Sequence, residues 1–284
     1  MHEVLQSRML ERFERDGALH PIPILSAGEV ARYRGALMEI EAHLSARLRR
    51  FDMAHLFFHW VYELATHPRV VAVMRELIGP DLFLHSTRVF CKHPDDGSYV
   101  SWHQDGLYTN LNSKPAPSAW IALTDSTVEN GCVRVIPGSH THPKLPHRET
   151  YADDNLLNHG EEVLLSVDES KAVDMELKAG EMSIHHVNLL HSSKPNRSRS
   201  SRIGFSMSYI APQVRRATVP VLRVAGNSND HEFDIAERPP PMPLEEALAR
   251  HAEFMNRHGF NPMRIEGVAG ASRAPTPRSL EKTP

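Results

Sequence analysis

At 284 residues the chain is long enough to bury a sizeable core, in one large domain or two small ones. Its 32 lysines and arginines stand against 35 acids, a formal net charge of −3, which gives no footing for nucleic acid as a partner. Two cysteines, Cys91 and Cys132, make no disulfide framework, no apolar run approaches the roughly 18 residues of a membrane span, and Met1-His2-Glu3-Val4 lacks the basic-then-apolar form of a signal peptide, so a cytoplasmic protein is expected.

Residues 1–80 read as a helical segment. Glu11 to Gly17 has the look of a short helix stopped by glycine, and Ser26-Ala27-Gly28-Glu29 has the spacing of a capping box ahead of apolar residues repeating from Val30 to Leu48. Ala54 to Leu64 is a further apolar segment. Pro68 opens a helix whose buried face runs Val70, Val71, Val73, Met74, Leu77 and Ile78 and ends at Gly79-Pro80.

After Pro80 the pattern changes to short strands: Leu82 to Lys92, Ser98 to His103, Ser118 to Thr124, Cys132 to Ile136, Ala172 to Leu177, Glu181 to His186 and Arg202 to Ile210. Turn residues separate them at Pro94-Asp95-Asp96-Gly97, Glu129-Asn130-Gly131, Pro137-Gly138 and Ala179-Gly180. The expectation is a mainly β core over 81–212, a barrel or sandwich, with an insertion over about 141–171 that covers an active site. A C-terminal segment over 213–268 carries one helix, Leu244 to His258, and no further strand. The Ser-, Pro- and Arg-rich stretch 269–284 reads as disordered.

The chemistry concentrates in Trp102-His103-Gln104-Asp105-Gly106 and His191-Ser192-Ser193-Lys194-Pro195-Asn196. Residues two apart on a strand face the same side, so His103 and Asp105 point together, and a second histidine from elsewhere completes two imidazoles and a carboxylate. That set holds one face of Fe(II) and leaves the other open. The chain has 19 histidines, so the pair needs support. His93-Pro94-Asp95 belongs to a turn, and His147-x-Glu149 and His159-x-Glu161 lie in the insertion. His185 and His186 compete with His191, but as strand neighbours they face opposite ways, so at most one faces a cavity. Along the last strand Arg202, Gly204, Ser206 and Ser208 share one face, while Ile203, Phe205, Met207 and Tyr209 share the other. The small polar face suits a ligand cavity and the bulky one suits helices packed outside.

In order, then, the chain carries His103-x-Asp105, Trp120, Asn130-Gly131-Cys132, Val135 to His140, and His191-x-Ser193 with Arg202 eleven residues after that histidine. This combination resembles the phytanoyl-CoA dioxygenase family of Fe(II)/2-oxoglutarate-dependent oxygenases over roughly 80–212. The resemblance implies a double-stranded β-helix, the jelly-roll or cupin-like fold, with Fe(II) as metal and 2-oxoglutarate and O2 as cosubstrates. By matching position, His103, Asp105 and His191 would be the iron ligands. Arg202 would take the distal carboxylate of 2-oxoglutarate with Ser193 in support, and Gln104, Trp120 and Lys92 would line the cosubstrate pocket.

Related halogenating enzymes carry a small residue in place of the acid, so Asp105 implies hydroxylation of a small metabolite or natural-product intermediate; desaturation and cyclisation use the same iron chemistry. Tyr108 and Asn110, just after the ligands, are expected either to contact substrate or to pack their loop, and Arg134, in the Cys132–Ile136 strand, either to contact substrate or to form a surface salt bridge. The alternative is a zinc hydrolase or isomerase on a cupin-like barrel, because Zn(II) accepts the same three ligands. Arg202 argues against it, since hydrolysis calls for no dicarboxylate clamp.

Overall fold

The computed structural model describes residues 2–107, 116–142, 144–214, 219–229, 231–261 and 263–266. Helix α1 (His2–Asp16) leads into strand β1 (Ala18–Pro23), helix α2 (Ala27–Leu44) and strand β2 (Leu48–Asp52). Helices α3 (His59–Ala65) and α4 (Pro68–Ile78) precede β3 (Leu82–Lys92), β4 (Val100–His103), β5 (Ser118–Ala122) and β6 (Val133–Val135). A hairpin of β7 (His147–Glu149) and β8 (Glu161–Val163) is followed by β9 (Val173–Met175), β10 (Glu181–His185), β11 (His191–Ser193) and β12 (Arg202–Ile210). Strand β13 (Leu222–Ala225), helix α5 (Leu244–Arg257) and strand β14 (Met263–Ile265) complete the described chain.

Two antiparallel sheets form the core, as expected for a jelly roll. The larger runs β1-β10-β5-β12-β3-β2-β14 with β13 also on β3, and the smaller runs β4-β11-β6-β9. The capping box forms as read: Ser26 accepts from the Glu29 amide and the Glu29 carboxylate accepts from Ser26 N.

The alternation along β12 sets the layers. Ile203, Phe205, Met207 and Tyr209 lie in one buried cluster with Val89 and Cys91 of β3 and with Tyr33, Leu37, Val61, Leu64, Val70 and Met74 of the helices. Each large side chain fully buried there contributes about 1.5–3 kcal/mol. Tyr209 Oη, buried among them, donates to Ala65 O at 2.6 Å and ties the sheet to α3. The opposite face of the same strands is left for the site.

Two expectations fail. The N-terminal segment is not only helical, because β1 and β2 both join the larger sheet. Two prolines in Ala18–Pro23 speak against a strand, yet β1 is an edge strand whose register shifts between Leu19 and Ile22, the setting in which a strand tolerates proline. Nor do strands stop at Ile210: β13 pairs with β3, and β14 pairs with β2. Both are short and add to edges already present. The expected disordered tail, 269–284, lies outside the described residues.

Candidate active site

The smaller sheet brings the two histidines together. Strand β11 lies between β4 and β6, with His191 paired to His103 on one side and to Val135 on the other. The imidazole ring centres are 4.0 Å apart. The chain then turns into a single helical turn, Asp105–Leu107, that points the Asp105 carboxylate back at both rings. Asp105 Oδ1 lies 3.4 Å from His103 Nε2 and 3.8 Å from His191 Nε2.

Each ring is fixed from behind. Nδ1 of His103 donates to Ser101 O and Nδ1 of His191 to Leu189 O, both at 2.9 Å, so the Nε2 lone pairs face the shared point. Burial, together with the neighbouring His103 and His185 rings, holds His191 well below the ordinary histidine range and hence neutral. Burial alone would raise the Asp105 carboxyl, but the adjoining His191, His103 and His185 rings outweigh it, and Asp105 stays well below the usual carboxylate range. The result is an anionic carboxylate beside the neutral His191 imidazole.

These groups open onto a cavity of about 500 Å³, part of it solvent-exposed, lined also by Trp120, His185, Ser193, Arg202, Arg88 and Ser206. Arg202 is buried, donates through Nη2 to Gly131 O at 2.7 Å and to Ser193 Oγ at 3.0 Å, and lies 4.8 Å over the Trp120 ring. Its Nε is buried with no partner in the protein. Burial lowers the guanidinium to about 10, which leaves it cationic at neutral pH. Lys92, paired with Arg202 across β3 and β12, is wholly buried and bonds Ser193 Oγ and Lys194 O. Ser193 Oγ donates in turn to Gly131 O at 2.7 Å, so this hydroxyl orients both side chains.

Two glycines make the arrangement possible. A Cβ on Gly204 would stand 1.7 Å from Trp120 Cζ2, so the indole occupies the space a side chain would take. Gly131 has φ +77, and a Cβ there would come within 2.1 Å of Lys194 O.

Several expected contacts fall elsewhere. Gln104 is buried but turned from the cavity: its Nε2 donates to Asn188 O at 2.7 Å and its Oε1 accepts from Leu145 N at 2.9 Å, which fastens the insertion to the turn. Gln104 lies past the end of β4, where the chain turns into Asp105–Leu107, and its side chain leaves the cosubstrate side there. Arg134 is buried outside the cavity lining, paired with Glu169 at 2.8 Å and Asp174 at 3.0 Å and stacked 5.7 Å over Trp102. Tyr108 and Asn110 lie outside the described residues.

Of the competing histidines, His185 faces inward, with Nε2 3.3 Å from Asp105 Oδ2, whereas His186 packs on Phe13 and His140 outside. His93 is structural, bonded to Ser201 Oγ and Leu48 O. The insertion does meet the site, through Leu157 in the cavity wall. Sequence reasoning missed Arg88 and Phe90, although the alternation argument used for β12 applies equally to β3 and groups Arg88, Phe90 and Lys92 on one face.

Comparison with known proteins agrees with this geometry. The family profile described as phytanoyl-CoA dioxygenase (PhyH) matches residues 13–204. A probable alpha-ketoglutarate-dependent hypophosphite dioxygenase of Stutzerimonas stutzeri is 28% identical over 190 residues, 65% of this chain and 63% of that protein. Against curated relatives of this kind the chain spans from 41% to 63% of their length. Among solved structures, the non-heme monooxygenase ThoJ superposes with a TM-score of 0.76 at 32% identity, over 88% of this chain and 96% of that one. The non-heme alpha ketoglutarate dependent epimerase SnoN of nogalamycin biosynthesis superposes with a TM-score of 0.62 at 26% identity, over 76% and 88%. No helix among the described residues is long and apolar enough to cross a membrane.

Proposed function

Because this chain belongs to the phytanoyl-CoA dioxygenase family, we propose that it is an Fe(II)/2-oxoglutarate-dependent dioxygenase that hydroxylates an unactivated C–H bond of a small metabolite or natural-product intermediate. One observation carries the reading: His103, Asp105 and His191 converge in the same cavity that the buried Arg202 enters.

The residues fit both groups. Oδ1 and the two Nε2 atoms stand 3.4 and 3.8 Å apart, a spacing that one cation about 2.1 Å from each donor can span. The partnerless Nε of Arg202, buried and cationic beside Ser193, suits a carboxylate that a neutral cavity wall would leave uncompensated.

His103, Asp105 and His191 would hold Fe(II), and Arg202, oriented by Ser193 with Lys92 behind, would hold the distal carboxylate of 2-oxoglutarate. The loaded iron centre supplies oxidation by O2, coupled to decarboxylation of 2-oxoglutarate to succinate. The chain's own part is positional. Carbonyl anchors fix both imidazoles before any ligand arrives, Gly204 admits the Trp120 wall, and Phe90, Val133 and Leu157 keep the cavity apolar around the polar groups. A zinc hydrolase would leave Arg202 and its supports without a task.

The similarity to SnoN favours a second reading, in which the same machinery removes and returns a hydrogen without adding oxygen. Mass analysis of product separates the two, since hydroxylation alone adds an oxygen atom.

The test is anaerobic titration of the metal-free protein with Fe(II) and 2-oxoglutarate, following the visible charge-transfer band. Wild type is expected to develop the band and Arg202→Ala to weaken it. Absence of the band, with tight Zn(II) binding instead, would overturn the oxygenase reading.

A further inference from the structure

Both sheets reach the Asp105 carboxylate. Its Oδ1 faces the smaller sheet, 3.4 Å from His103 Nε2 and 3.8 Å from His191 Nε2. Its Oδ2 faces the larger sheet, where His185 Nε2 lies 3.3 Å away and Ser118 Oγ 3.2 Å away.

Strand register brings these two groups together. His185 ends β10 and pairs with Ser118, the first residue of β5, so both side chains stand on one face of the sheet. Both are buried. Ser118 pairs in turn with Ser208 of β12, and the two hydroxyls are 3.1 Å apart. A metal-binding carboxylate is ionised and can only accept, so His185 Nε2 and Ser118 Oγ both donate to Oδ2. With its own proton committed to Asp105, Ser118 Oγ accepts from Ser208, which makes a chain of donors from Ser208 through Ser118 to Asp105.

The same bond explains a third imidazole beside the triad. The His185 ring lines the cavity and is centred 4.4 Å from that of His191. A nitrogen whose proton serves Oδ2 has no lone pair to offer a cation, so His185 acts on a metal through Asp105 and not as a ligand. Its Nδ1 is buried with no partner among the described residues, which leaves the bond to Asp105 as the polar contact that orients the ring.

Resting on the metal set of the oxygenase reading, we propose that His185 and Ser118 are positioning residues that hold Asp105 Oδ2 back, so that the carboxylate binds metal through Oδ1 alone. A carboxylate that used both oxygens would fill one more coordination position and narrow the face left open for the cosubstrates. Held from the larger sheet, Asp105 is aimed as firmly as the carbonyl anchors aim the two imidazoles.

The experiment titrates the metal-free full chain anaerobically with Fe(II) at saturating 2-oxoglutarate, following the charge-transfer band, and separately with Zn(II) in competition with a chelator. His185→Leu removes a donor and is expected to weaken the binding of either metal about 10–100-fold and to shift the band. His185→Gln places an amide N–H about where Nε2 stands and should recover most of the affinity and the wild-type band position. Ser118→Ala should weaken binding in the same direction but by less, and it serves if the leucine variant folds poorly.

Wild-type affinity and band position in both His185→Leu and Ser118→Ala would overturn the proposal. So would a His185→Gln protein as impaired as His185→Leu, since the imidazole would then bind metal in its own right. A wild-type band with unaltered variants fails this proposal alone. A wild-type protein that binds Zn(II) but gives no band with Fe(II) and 2-oxoglutarate fails the oxygenase reading, and the Zn(II) affinities of the variants then test the hold on Asp105 by themselves.

Discussion

His103, Asp105 and His191 converge in one place and Glu149, His159 and Glu161 in another, and every one of the six is a competent metal ligand. They differ in what surrounds them. In the cavity the far nitrogens of both imidazoles are taken by backbone carbonyls, so the near ones have only Asp105 between them. On the β7–β8 hairpin the ligand atoms satisfy each other: His159 Nδ1 bonds Glu149 Oε1 at 2.9 Å, Tyr151 Oη donates to Glu149, and Glu161 accepts from the His159 amide at 3.3 Å. The side chains of Glu149 and His159 are each 49% exposed, so water competes for whatever remains. Ligand chemistry is common on a protein surface; ligands held apart, aimed and dry are not.

The sharpest way to break that contrast is to delete ligands from each group. Asp105→Ala or His191→Ala should cut succinate formation on the order of 10³-fold and strip iron from the purified protein. Glu149→Gln should leave both within about twofold. Equal losses from the two groups, measured as iron per chain and as turnover, would erase the distinction.

The next largest effect concerns space inside the cavity. Gly204→Ala drives a methyl group to 1.7 Å from the indole, which should cost about 1–3 kcal/mol in urea unfolding and weaken 2-oxoglutarate binding. Adding Trp120→Ala should restore much of the stability but not the binding.

Burial also separates histidines by their response to acid. Burial holds His55 down at about 3 and His85 at about 4, against an ordinary 6.5. The unfolded chain takes up protons at both sites as pH falls through about 6.5, while the folded chain does so only at those lower values. Stability is therefore full above about pH 6.5 and falls below it by up to about 1.4 kcal/mol per pH unit for each histidine. Urea melts between pH 7.5 and 5 should show the slope, and His55→Asn should flatten it.

The smallest effect is expected on the outer face. Arg134→Ala loses ion pairs to Glu169 and Asp174, whose carboxylates are 51% and 35% exposed, worth about 1 kcal/mol or less, and should leave the KM for substrate unchanged. A raised KM would return Arg134 to the site.

Much of the cavity was legible from parity. Arg202, Gly204, Ser206 and Ser208 on one face of β12 and the bulky set on the other appear in the structure as read, and so does the single inward histidine of the pair His185 and His186. The same rule, applied to β3, would have drawn Arg88 inward, whereas Gln104 lies past the end of β4, where alternation no longer applies. For Arg134 the structure takes the salt-bridge reading, and the sequence left the choice open because its strand, Val133–Val135, is three residues long, too short to show which face is which.

The sequence by itself determined the local quantities: the capping box at Ser26, the turns, the two-residue alternation of each long strand, and the ligand types with their order along the chain. These depend on residues a few positions apart, whose geometry the backbone sets directly. Only the tertiary structure decided what depends on distant partners. Strands β1, β2, β13 and β14 exist because a sheet edge supplies their hydrogen bonds. Asp52 is shared between Arg50 and Arg88 because two strands lie in one register. His191 joins His103 because β11 pairs with β4. Side chains that meet across the fold answer to packing and pairing that no short stretch of sequence contains.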